Sequence, residues 1–72
     1  MQTLVFNTTD RTAKLYSGVH CATLSSDLIY NFDNVPTVKV MDGHYEVMQE
    51  ENNFKYPVLR VPIANTNMVI VK

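Results

Sequence analysis

Residues 37–48 read Thr37-Val38-Lys39-Val40-Met41-Asp42-Gly43-His44-Tyr45-Glu46-Val47-Met48. Two runs that alternate apolar and polar residues flank Asp42-Gly43. Asp-Gly is a preferred two-residue hairpin loop, because a type I′ turn needs φ > 0 at both central positions. That loop predicts a register in which Met41 faces His44, Val40 faces Tyr45, Lys39 faces Glu46 and Val38 faces Val47. One face then carries Val38, Val40, Tyr45 and Val47, and the other sets Lys39 against Glu46. A slip of one residue loses both the apolar face and the charge pairing. The stretch therefore predicts antiparallel β structure with its valines and tyrosine turned inward.

Working outward, the chain offers further strands. Residues 3–7 and 12–16 form a first expected hairpin around Thr8-Thr9-Asp10-Arg11, with Leu4, Phe6, Ala13 and Leu15 on one face. Ser17-Gly18 marks a turn, and Val19–Leu24 reads as a strand. Ser25-Ser26-Asp27 has the chemistry of a helix N-cap, since a serine oxygen accepts an orphan N–H and Asp27 complements the dipole. Leu28, Ile29 and Phe32 follow at helical spacing, so a short helix ending by Asp33 and a strand over Leu28–Phe32 are both open. After residue 48, Glu50-Glu51-Asn52-Asn53 is a polar turn. A two-residue Asn52-Asn53 loop sets Glu50 opposite Lys55 and Tyr45 opposite Arg60. Phe54–Ile63 is a long β segment in which Pro57 and Pro62 cannot donate to a ladder, so it is bulged or lies at an edge. Residues 64–67 form a last turn that pairs Ile63 with Met68 and Val61 with Ile70. Ten valines, seven threonines and three isoleucines favour pleated strands. The expected fold is all-β, a five- or six-stranded antiparallel meander closing into a small barrel or sandwich, with at most one helical turn near residues 26–32.

Seventy-two residues make one small domain (1–72) with a thin core, and association with further copies would help such a core. Six basic against seven acidic residues leave a net charge of −1 with no charge run, which disfavours nucleic acid and anionic membranes as partners. Cys21 is the sole cysteine, so no intrachain disulfide forms. No apolar run approaches the roughly 20 residues of a membrane span, and the first residues lack a basic signal-peptide region. A reduced, cytoplasmic setting follows as the expectation. Phe, Tyr, Met, Ile, Asn and Lys total 25 residues, against 10 for Gly, Ala, Arg and Pro. That bias predicts an A/T-rich genome. The chain starts at Met1 and is expected to be a complete short reading frame of the kind that encodes bacteriophage-type accessory proteins.

Candidate chemistry is sparse. His20 and Cys21 would point to opposite faces of a strand and so could not form a nucleophilic dyad. His20, Cys21, His44 and an aspartate have no metal-ligand spacing, so no metal is expected. Ser26 lacks a GxSxG elbow, and Gly18 and Gly43 alone cannot build a phosphate loop. No catalytic residue and no cofactor is assigned. Phe6, Tyr16, Tyr30, Phe32, Tyr45, Phe54 and Tyr56 with Lys14, Lys39, Lys55 and Arg60 could serve a nucleic-acid or small-ligand barrel, but no aromatic-basic motif organises them. The reading that remains is a non-enzymatic protein-binding module, an inhibitor or redirector of a host protein. Its expected contact surface lies on the edge strand Phe54–Pro62, with Tyr45, Tyr56 and Arg60 as the residue types that dominate interfaces. A structural, virion-type assembly subunit is the third reading.

Overall fold

The computed structural model describes all residues, 1–72. It is all-β, with seven strands: β1 Gln2–Asn7, β2 Thr12–Ser17, β3 His20–Ser25, β4 Val38–Val40, β5 His44–Glu51, β6 Phe54–Pro62 and β7 Thr66–Val71. These form a four-stranded sheet of order β3-β2-β1-β7 and a three-stranded sheet of order β4-β5-β6. No strand pairing joins the two sheets. They share one core of Leu4, Phe6, Ala13, Ile29, Tyr30, Val47 and Val61.

The 37–48 hairpin forms in the expected register, with Val38 opposite Val47, Lys39 opposite Glu46 and Val40 opposite Tyr45. Met41 N–H donates to His44 O at 2.9 Å. The turn itself differs from type I′. Gly43 has φ +84 but Asp42 keeps a negative φ, so one left-handed residue suffices. The type I′ geometry sits instead at Asn52-Asn53, with φ of 52 and 70. Val47 is fully buried on the inner face, whereas Val40, at the turn end of β4, is 68% exposed and does not join the core as expected. The first hairpin is as expected: Leu4 pairs with Leu15 and Phe6 with Ala13 on the covered face.

Three expectations are corrected, and one open alternative is decided. The strand count is seven rather than five or six. Of the two readings of residues 26–32, the short helical turn holds and the strand over Leu28–Phe32 does not: Ser26 caps a 3₁₀ turn over Asp27–Ile29, its Oγ accepting from Leu28 N–H, and the turn ends well short of Asp33. The turn stops because Tyr30 goes extended to send its ring beneath Phe6, edge to face at 6.3 Å. The meander also breaks after β6. Ile63 and Val61 do not meet Met68 and Ile70; a 3₁₀ turn at Ile63–Asn65 leads β7 across to the other sheet, where it runs parallel to β1 with Leu4 beside Met68 and Phe6 beside Ile70. Pro62, without an N–H, closes β6 and cannot seed a further hairpin ladder. Finally, Tyr45 is opposite Val61, not Arg60. Glu50 does face Lys55, but a bulge leaves Val58 without a partner, since Val47 pairs with Leu59 and Met48 with Pro57. Everything beyond the bulge shifts by one partner and changes face. β6 is therefore both bulged and an edge strand.

Candidate functional site

The bulge divides the residues expected to form a contact surface. Tyr45 lies on the inner face of β5 and packs against the core. Arg60 points to the outer face, where its Nε donates to Glu46 Oε2. Glu46 is only 7% exposed, covered by this guanidinium and by His44, whose Nε2 lies 3.5 Å from the same oxygen. Tyr56 stands opposite Gln49 and donates its hydroxyl to Glu51 Oε2 at 3.3 Å. Burial and the Glu51 charge raise the Tyr56 pKa. The three residues therefore do not converge. Arg60 is committed to a nearly buried carboxylate, so Arg60→Ala is not a clean probe of binding.

Glu46 carries a pH prediction. The hydrogen bond from Arg60 holds its carboxyl below the usual glutamate range, with His44 assisting against the opposing effect of burial. A depressed carboxylate contributes stability that is present above the unfolded value, about 4.3, and is lost as pH falls through the folded value. A carbonyl-detected NMR titration is expected to place the Glu46 midpoint below the ordinary glutamate range. Arg60→Ala should move that midpoint upward. An unchanged midpoint would mean that the ion pair does not persist in solution.

A different place gathers functional chemistry. Between the segment 27–35 and the tip of the β5–β6 hairpin lies a cleft of about 830 Å³. Its first wall is held by Tyr30 and Arg11. The Tyr30 hydroxyl donates to Thr12 O at 2.7 Å, with Asn7 O 3.1 Å away, so one ring ties this segment to both strands of the first hairpin. Burial, and then the charge of Asp10, raise the Tyr30 pKa, while Arg11 opposes them. Arg11 sits in the β1–β2 turn at φ 56 and lays its guanidinium 5.1 Å over the Tyr30 ring. It donates to Asn34 Oδ1 at 2.7 Å, Asp27 O at 3.0 Å and Tyr30 O at 3.3 Å. Asn34, also left-handed, donates from Nδ2 to Thr8 O at 2.9 Å. Thr37 closes the floor: its N–H donates to Ile29 O, and its Oγ1 lies 2.7 Å from Ile29 O and 2.6 Å from Met48 O, one hydroxyl proton serving either carbonyl.

The segment so fixed presents large apolar groups to solvent. Phe32 is fully exposed, Val35 half exposed and Leu28 42% exposed. Across the cleft stand Glu50, Glu51, Asn52, Asn53 and Lys55, with Phe54 74% exposed beside them. Lys55 is 4.0 Å from Glu50, and Arg11 is engaged with Asp27 at 3.3 Å. Glu51 therefore leaves the cleft with a net acidic character. In the sequence Phe32 stands out only by its helical spacing from Leu28 and Ile29 and as one of seven aromatics, and nothing marks Arg11 as functional. The one signal for Arg11 was its place among turn formers.

The other candidates stay apart. His20 and Cys21 are neighbours on β3 and point to opposite faces, whereas His44 is on β5 of the other sheet. No three His, Cys, Asp or Glu side chains are grouped to hold a metal ion. No helix is long and apolar enough to cross a membrane. Comparison of the chain with protein-family models, with curated proteins and with solved structures gave no match.

Proposed function

We propose that the chain is a non-enzymatic protein-binding module, and that the cleft between residues 27–35 and the β5–β6 tip receives a segment of its partner. The carrying observation is Phe32, a large ring fully in solvent on a segment that Arg11 and Tyr30 hold in place. Only 8 of 72 residues are buried, so apolar surface that a core could use stands outside it. Exposed apolar groups rimmed by polar ones mark interaction surfaces. The matching partner segment carries an apolar or aromatic anchor for Phe32 and Leu28 and a lysine or arginine for Glu51. Tyr56 remains part of this reading, because its hydroxyl orients Glu51. Tyr45 and Arg60 act within the sheet. The two sheets are read as a small open sandwich, and a bacteriophage-type accessory role in the cytoplasm, inhibiting or redirecting a host protein, is the setting that size and composition favour.

A peptide array probed with the folded protein tests this reading. Bound peptides are expected to be enriched in an aromatic or aliphatic residue next to Lys or Arg. Phe32→Ser and Glu51→Lys should each weaken binding at least about tenfold, the scale of an interface hot spot, with the far-ultraviolet spectrum unchanged. Peptides without that pattern, or binding indifferent to both substitutions, would remove the cleft from consideration.

A further inference from the structure

The molecule has four sheet edges, and two carry features that discourage pairing. β4 is three residues long. β6 has two prolines, a bulge and the charged Lys55 and Arg60. β3 is equally unguarded, but its one large apolar side chain, Leu24, packs against the core, and the rest are small or polar and leave no apolar strip at the edge. β7, Thr-Asn-Met-Val-Ile-Val, has no charge, proline, glycine or bulge, and Val69, Ile70 and Val71 are 41%, 49% and 44% exposed. An unguarded apolar edge is a template for another strand. We propose that β7 pairs with β7 of a second copy about a two-fold axis, joining two four-stranded sheets into one of eight strands.

The backbone supplies the register. Thr8 N–H donates to Val71 O at 2.9 Å. Successive residues of a strand turn their N–H and C=O groups to opposite sides, so Val71, Val69 and Asn67 face β1. Met68 and Ile70 present their main-chain groups at the free edge, and no turn or loop contact uses them. A symmetric antiparallel pair must bond these residues to one another. Centring it on Val69 sets Met68 against Ile70 twice, Val69 against its own copy and Asn67 against Val71. It continues to Thr66 against Lys72, the greatest strand length available. No two like charges face each other, and the net charge of −1 adds little repulsion. This absence of any charged handle favours a copy of the same strand over a charged foreign one. A single edge covers less than the roughly 800 Å² per partner of a standard interface, so the dimer is weak and reversible.

The test is independent of the cleft. Sedimentation equilibrium of the whole protein should show mass rising from 8.2 kDa toward twice that value between micromolar and millimolar concentration. Ile70→Lys should remain at monomer mass with an unchanged circular dichroism spectrum, since a lysine on an edge blocks addition. In a Cys21→Ser background, Val69→Cys should cross-link as a disulfide on mild oxidation. Directly opposed residues at a non-hydrogen-bonded site lie about 4.5 Å apart, within disulfide reach. Asn67→Cys should not cross-link. A wild-type protein that stays monomeric throughout overturns the proposal and leaves β7 open to a strand of another protein. Dimerisation that survives Ile70→Lys, or a dimer whose Val69→Cys form fails to cross-link, overturns it as well.

Discussion

Phe6→Ala is expected to leave the chain largely unfolded at 37 °C. Phe6 is fully buried, stands between Ala13 of β2 and Ile70 of β7, and packs against the Tyr30 ring in a T-shaped pair at an interplanar angle of 87°. Removing a buried phenylalanine costs about 3–5 kcal/mol. A 72-residue domain has in total roughly 4–11 kcal/mol at its disposal. With seven apolar residues in the core, neighbouring side chains cannot close the void. A thermal melt followed by circular dichroism should show a midpoint lower by about 12–40 °C, using 4–8 °C per kcal/mol for a domain of this size. A fall of under about 5 °C would place the core elsewhere. The exposed Phe32→Ala is the matching control, with an expected change within about 0.5 kcal/mol.

The second large effect concerns Arg11. Arg11→Ala removes a charge-assisted donor from three acceptors and a cation from the Tyr30 face. It also leaves a side-chain-bearing residue at φ 56. Hydrogen bonds to a charged group contribute about 1.5–3 kcal/mol, and part-exposed acceptors recover some of this from water, so a loss of about 2–3 kcal/mol is expected. Arg11→Gly removes the same contacts but relieves the left-handed backbone, and should be milder by about 1 kcal/mol. Hydrogen exchange distinguishes the region affected. The amides of Ile29, Tyr30, Asn34 and Thr37, which bond within the 26–37 segment, should lose protection while β1, β2 and β3 keep theirs. Equal losses for Ala and Gly would show that the turn conformation is not strained. Unchanged exchange in the segment would assign its order to Tyr30 alone. Because this segment carries Phe32, partner binding should weaken in step with its order.

The two hairpins around residues 8–11 and 42–43 were legible because strand pairs close in sequence announce themselves. Alternation sets the face, and a short loop sets the register. The Asn52-Asn53 turn was legible for the same reason, and the Glu50–Lys55 pairing followed from it. Reading failed just past Pro57. A bulge costs one residue of register and has no sequence signature beyond a proline that needs accommodating. That single residue moved Arg60 from beside Tyr45 to beside Glu46 and dissolved the expected surface. The segment 27–35 was illegible because its conformation is set by Arg11 and Tyr30, which reach it from, or toward, strands some 16–23 residues away along the chain.

By itself the sequence determined an all-β chain, its local hairpins and the apolar faces of β1, β2 and β5, because those depend on neighbours within a few residues. Only the tertiary structure decided that β7 leaves β6 to run parallel to β1, that Arg60 is held by Glu46 and that Phe32 stands in solvent. Contacts between distant segments are selected by the fit of whole faces and by which main-chain groups still need partners. Neither quantity exists until the sheets have formed.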